Sequence, residues 1–114
     1  MMLGIVRDPV FGPVIAVGIG GIYVEVMRDI TFRVPPVDAP TARAMLGELR
    51  GYKILEGVRG MPPADIEALV DCIVRLSWLA ADHGDTISEL DVNPLTVLPA
   101  GAKAVDALLV AGRQ

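Results

Sequence analysis

The chain is poor in the residues that usually carry chemistry. It holds one cysteine (Cys72), one histidine (His83) and one tryptophan (Trp78), and aromatics make up 4% of its 114 residues. A single cysteine excludes an internal disulfide and points to a cytoplasmic setting. His83 has no His or Cys nearby to complete a transition-metal site. It stands just before Gly84 at a helix end, where the helix dipole favours it as a C-terminal cap. Basic residues form no run, and the net charge is −4, which argues against nucleic acid as the ligand. A membrane-spanning stretch is also missing. The longest uncharged run, Pro9 to Val24, carries four glycines and two prolines. It falls short of the roughly 20 apolar residues a span requires. Met1-Met2-Leu3-Gly4-Ile5-Val6-Arg7-Asp8 shows no basic leader or cleavage site, and it reads as a chain that begins inside a strand, as a fragment would.

What the chain has in excess is apolar side chains, at 53%. Small domains leave much of their surface exposed. This content therefore points to surface covered by a partner domain or a second copy in a homo-oligomer, with a larger hidden core as the alternative.

In chain order, residues 3–7 read as a strand, Asp8 to Pro13 as a turn, and Val14 to Val17 as a short buried strand. Gly18-Ile19-Gly20-Gly21 breaks that strand. It is not a dinucleotide fingerprint, because Tyr23 stands where the third glycine belongs and no helical pattern follows. Its backbone suits close approach to a ligand or a plain hairpin loop. Ile22 to Met27 and Ile30 to Val34 read as hairpin partners, with Glu25 and Arg33 as single charges in apolar strands. Asp38, Ala39 and Pro40 open a helix that Gly51 stops, with Ala42, Met45, Leu46 and Leu49 on one face. Arg59 lies in a flexible connector suited to meeting an anion, or simply to solvent. Met61 to Asp65 opens a second helix through about residue 82, striped by Ile66, Leu69, Val70, Ile73, Leu76 and Ala80. Cys72 and Trp78 lie off that stripe and read as packing residues.

The last section carries the sharpest pattern, Glu89-Leu90-Asp91-Val92-Asn93-Pro94-Leu95. On an extended strand Asp91 and Asn93 share a face. A carboxylate and an amide oxygen so placed suit a hard cation such as Mg²⁺, which takes the rest of its ligands from water and phosphate. The plainer reading is a strand end running into an Asn-Pro turn. A hairpin with Pro99 to Ala102 as its loop pairs Leu98 with Lys103 and Leu95 with Asp106. That register gives Asp106, a carboxylate in an apolar strand, a place on the Asp91–Asn93 face, and a one-residue slip would remove it.

Several segments occur in a telling order. They are Asp8-Pro9-x-Phe11-Gly12-Pro13, Gly18-x-Gly20-Gly21 with Glu25 and Asp29, and Arg33 before Pro35. Gly57-x-Arg59-Gly60-x-Pro62-Pro63-x-Asp65, Glu89 to Leu95 and Val105-Asp106-Ala107 follow. Together they resemble the ATP-grasp domain of the NDP-forming acyl-CoA synthetases. That group includes the ADP-forming acetate–CoA ligases and is related to the succinyl-CoA synthetase β subunit. The resemblance implies an α+β fold, a mostly antiparallel sheet with two main helices, forming the second, C-terminal lobe of an ATP-grasp domain over residues 1–114. It implies conversion of acyl-CoA, ADP and phosphate into acid, CoA and ATP through an acyl phosphate and a phosphohistidine, with Mg²⁺ and ATP or ADP as cofactors. The metal ligands map onto Asn93 and Asp106. Asp91 takes the acidic position of a Glu-x-Asn pair, one methylene shorter, so its contact runs through water. Gly20, Gly21 and Glu25 fall on the nucleotide side, with Arg33 and Arg59 as candidate phosphate contacts. The first lobe, the CoA-binding domain and the phosphohistidine domain are absent from these residues, so the chain by itself is expected to have little or no ligase activity. The alternative is a non-catalytic binding or sensing module that pairs with another subunit.

Overall fold

The computed structural model describes residues 1–19, 29–57 and 60–112. Among the described residues seven strands and three helices follow one another as β1 (Met2–Asp8), β2 (Gly12–Gly18), β3 (Ile30–Arg33), α1 (Ala39–Gly47), α2 (Tyr52–Leu55), α3 (Ile66–His83), β4 (Ile87–Val92), β5 (Leu95–Val97), β6 (Ala102–Ala104) and β7 (Ala107–Ala111). Five strands form an antiparallel sheet in the order β3-β2-β1-β4-β7, and β5 and β6 form a separate pair. This is the expected α+β class, with two long helices and a short one. Among the described residues no helix is long and apolar enough to cross a membrane.

Strand periodicity sorts the sheet into two faces. Leu3 pairs Val17 and Ile5 pairs Ile15. All four point to the side where α1 and α3 lie, and all are buried in one core with Met45, Leu46, Leu69 and Ile73. The intervening residues Gly4, Val6, Phe32, Asp91 and Leu108 point the other way.

Two of these helices, α1 and α3, start where a side chain serves their free N–H groups. Asp38 Oδ1 accepts from Thr41 N at 2.9 Å, and Pro40 sits in the first turn of α1. That helix ends at Gly47, before the expected stop at Gly51. Gly51 instead precedes α2 inside the stretch read as a plain connector. It is pinned there because Asp29 accepts from the N–H groups of Arg50 at 2.7 Å and Gly51 at 2.8 Å. A Cβ on Gly51 would also lie 2.9 Å from the Ile19 side chain.

The expected start of the second helix at Met61 is corrected to Ile66, with Asp65 as its N-cap. Pro63 disfavours helical backbone at Pro62, so the two prolines form the approach rather than the first turn. The apolar stripe buries Leu69, Val70, Ile73, Leu76 and Ala80 as expected. Cys72 is half-buried against the core, and burial pushes its thiol pKa up, which makes it a packing residue rather than a nucleophile. Trp78 departs from expectation, with 52% of its surface exposed. His83 ends the helix, and its carbonyl accepts from Thr86 N at 3.0 Å and Thr86 Oγ1 at 3.1 Å.

One expected strand pairing falls partly outside the described residues, and another differs. β3 pairs β2, through Ile15–Arg33, Ala16–Phe32, Val17–Thr31 and Gly18–Ile30. The expected partner, residues 22–27, lies outside the described residues. In the terminal hairpin Leu95 pairs Ala104, not Asp106, and Thr96 pairs Lys103. The turn is two residues tighter than the Pro99–Ala102 loop, because Gly101 adopts φ +88 and its carbonyl accepts from Leu98 N at 2.9 Å.

Candidate functional site

β4 places Glu89 and Asp91 on the face away from the helices, and Asn93 continues that alternation past the strand's end. Asp91 stands opposite Gly4 of β1 on one side and Leu108 of β7 on the other. Asn93 N donates to Asp106 O at 3.0 Å, and Val105 N donates to Pro94 O at 3.0 Å. These bonds continue the β4–β7 register, so Asp106 lies directly across from Asn93. The two-residue correction in the β5–β6 hairpin preserves parity, so Asp106 stays on the Asp91–Asn93 face although its partner is Asn93 rather than Leu95.

The floor beside these residues is a shallow groove of about 270 Å³, lined among others by Gly4, Ala16, Phe32, Glu89, Asp91 and Asn93. Gly4 lets β1 and β4 approach closely here, since a Cβ on it would lie 3.0 Å from Leu90 O. Sequence reasoning passed over Gly4 and Glu89. An isolated glycine inside a strand was the available signal for the first, and the i, i+2 spacing to Asp91 for the second.

Among the described residues, the side chains of Asp91, Asn93 and Asp106 accept no hydrogen bond and join no ion pair. Carboxylates sharing one face repel each other, and a cation between them offsets that repulsion. The donor set suits Mg²⁺ because all its atoms are hard oxygens. Among the described residues no three His, Cys, Asp or Glu side chains gather to hold a metal by themselves. Two carboxylates and one amide oxygen would leave a cation with open positions for water or phosphate.

The other candidates fall elsewhere. Gly20, Gly21, Glu25 and Arg59 lie outside the described residues. The guanidinium of Arg33 pairs with Glu48 at the end of α1, and its Nη1 donates to Phe32 O at 2.8 Å. Arg33 lines a neighbouring groove of about 510 Å³ with Arg7, Phe11 and Val34, not the one that holds Asp91 and Asn93. Arg7, which drew no attention in the sequence, donates through Nη2 to Ile87 O at 3.3 Å, while its Nε is buried without an acceptor.

A family model described as an ATP-grasp domain matches residues 1–110. An ADP-forming acetate–CoA ligase I from Archaeoglobus fulgidus is 43% identical over 114 residues, which is 100% of this chain and 16% of that protein. The β subunit of ADP-forming acetate–CoA ligase II from Pyrococcus furiosus is 45% identical over 112 residues, 96% of this chain and 48% of the subunit. Among solved structures, the dinucleotide-forming acetyl-coenzyme A synthetase 1 of Ca. Korarchaeum cryptofilum aligns with a TM-score of 0.92 at 41% identity, covering 97% of this chain and 52% of that one. That structure holds coenzyme A and Mg-AMPPCP, with a phosphohistidine segment pointing towards its nucleotide binding site. The chain thus spans about half the length of the β subunit and a smaller part of the Archaeoglobus ligase.

Proposed function

This chain belongs to the ATP-grasp domain family, and we propose that residues 1–114 are the C-terminal lobe of such a domain. In this reading it is the magnesium-nucleotide part of an ADP-forming acid–CoA ligase. One observation supports it. Asp91 and Asn93 line one groove, the main chain of Asp106 bonds to that of Asn93, and none of the three side chains has a protein partner among the described residues. Asn93 and Asp106 would hold Mg²⁺ directly and Asp91 through water, and the bound ion neutralises charge spread over phosphate oxygens. The protein's own contribution is placement. The β4–β7 ladder holds the donors at fixed spacing, and the Gly4 floor admits a ligand close to the backbone. Gly20, Gly21, Glu25 and Arg59 remain candidates for the nucleotide side, and Arg33 is a weaker one because Glu48 occupies it.

The complete reaction needs the first ATP-grasp lobe and the CoA-binding and ligase domains. The reading therefore assigns the isolated chain weak Mg-ADP binding and no turnover. A cytoplasmic setting fits the single cysteine. The test is an NMR titration with Mg-ADP. Shifts are expected around Asn93 and Asp106, and they should disappear in Asn93→Ala and Asp106→Asn. In the complete ligase each substitution should lower turnover by roughly a hundredfold or more, the scale lost with one preorganised electrostatic group. Full turnover in both variants would sink the reading.

A second reading, a non-catalytic module that pairs with another subunit or with a second copy, is favoured by the exposed apolar side chains of the same face, Val6, Phe32 and Leu108. Sedimentation with and without a first-lobe partner separates the two. Binding of that partner without any magnesium-nucleotide effect favours the module.

A further inference from the structure

Asp65 serves two elements, and only one is the helix it starts. Its Oδ1 accepts from Ala68 N at 3.0 Å and caps α3. Its Oδ2 accepts from Gly101 N at 2.7 Å, 36 residues away in sequence. The main-chain N–H of Asp65 donates to Leu98 O at 2.7 Å. Leu98 and Gly101 are the two sides of the β5–β6 turn, joined by Leu98 N to Gly101 O at 2.9 Å. One residue therefore grips both sides of that turn. The side chain of Asp38, which caps α1, accepts from Thr41 and, among the described residues, bonds to no other element.

The turn is the tip of a hairpin whose base is the Asn93–Asp106 pair. β5 and β6 form a two-stranded sheet apart from the main one, and such a ribbon is marginal unless something else holds it. At the base, Leu95 exchanges hydrogen bonds with Met1, as Leu95 N donates at 2.7 Å and Leu95 O accepts from the Met1 amino group at 3.0 Å. At the tip, the side chain that holds it to α3 is Asp65. A ribbon held at both ends cannot twist about its base. Magnesium makes that restraint matter, because it demands near-octahedral ligand placement.

We propose that Asp65 is a positioning residue for the Asn93–Asp106 pair, fixing the hairpin by its tip so that the two oxygen donors at its base keep one geometry. The proposal rests on the magnesium reading of that pair for its consequence, though not for its mechanics.

The test uses the 114-residue chain with Asp65→Ser and Asp65→Asn. Serine caps helices about as well as aspartate, so it preserves the bond from Ala68 N, and it has no second oxygen for Gly101. Amide hydrogen exchange is read residue by residue by NMR. The amides of Asn93 and Val105 should exchange about tenfold faster than in the unaltered chain, while those of Ile5, Ile15 and Ala68 stay unchanged. With Mn²⁺ as the probe and water-proton relaxation as the readout, affinity should fall about tenfold, as when a partner behind a metal ligand is lost. Asp65→Asn is isosteric but keeps one acceptor, so it should move both readouts in the same direction by less. It also serves in place of serine if that variant unfolds. Faster exchange confined to Gly101, with Asn93, Val105 and Mn²⁺ affinity unchanged, would overturn the proposal. If the unaltered chain fails to bind Mn²⁺ beside Asn93, the magnesium reading falls, and the exchange pattern still decides whether Asp65 holds the hairpin base.

Discussion

The two faces of the five-stranded sheet come from the same strands, one residue apart, and they meet different surroundings. On the helix side Ile5, Ile15 and Val17 are 0% exposed. On the other side Val6 is 36%, Phe32 53% and Leu108 58% exposed. An antiparallel sheet with one solvated face usually alternates apolar and polar residues. Here the uncovered face is also apolar, broken by Glu89 and Asp91 of β4 and by Asp106 beyond it. The covered face supplies folding free energy. The uncovered one has the make-up of a surface that meets a partner or ligand, apolar around a few convergent oxygens. This second face adds exposed apolar side chains to those of the core.

Breaking the comparison starts with the largest effect. Ile15→Ala should cost about 2–5 kcal/mol in urea unfolding, because it leaves a cavity in the covered core. Phe32→Ala, on the open face, should stay within about 1 kcal/mol. Equal losses would mean that the two faces contribute alike. Next comes the edge of the covered side, where α3 ends against the β1–β2 turn. A Cβ on Gly84 would lie 2.4 Å from Ala80 O and 2.6 Å from Pro13 Cγ. Gly84→Ala should therefore cost about 1–3 kcal/mol as overpacking, seen as a lower urea midpoint with an unchanged slope.

The smallest effect is a pH dependence of the two helix caps on the covered side. Bonds from Gly101 N and then Ala68 N hold the Asp65 carboxyl below its ordinary value of 3.8. Thr41 does the same for Asp38, whose ordinary value is also 3.8, through its side chain first and its backbone second. A depressed carboxylate contributes stability that is fully present above its unfolded value and is lost as pH falls through its folded one. The loss therefore belongs below pH 3.8. Thermal unfolding followed down through that window should show a falling Tm, and a flatter profile in the Asp38→Asn, Asp65→Asn double variant. An unaltered slope in that variant would remove the caps from the acid limb.

Much of this was legible locally. The Asp38 cap spans three residues and was read correctly, as were the α3 stripe and the first strand. The prolines at 62 and 63 imitated a helix start, because a proline before a helix and one in its first turn look alike in sequence. The turn at 98–101 was read two residues too long, because composition does not reveal which glycine adopts positive φ. The error left the site intact, since a shift of two keeps every side chain on its face. Arg7 gave no usable signal, because its importance lies in what stands beside it on the next strand, and Gly4 gave only that of an isolated glycine inside a strand.

The sequence by itself determined the buried stripes and the shared face of Asp91 and Asn93, which follow from periods of 3.6 and 2 along a short stretch, while the α+β class was implied by the resemblance that its ordered motifs carry. Only the tertiary structure decided which side of the sheet the helices cover, that Asp106 stands across from Asn93, and that Asp65 reaches Gly101 over a separation of 36 residues. Those contacts join segments far apart in the chain. They depend on the register and closure of the whole fold, which no local pattern of residues encodes.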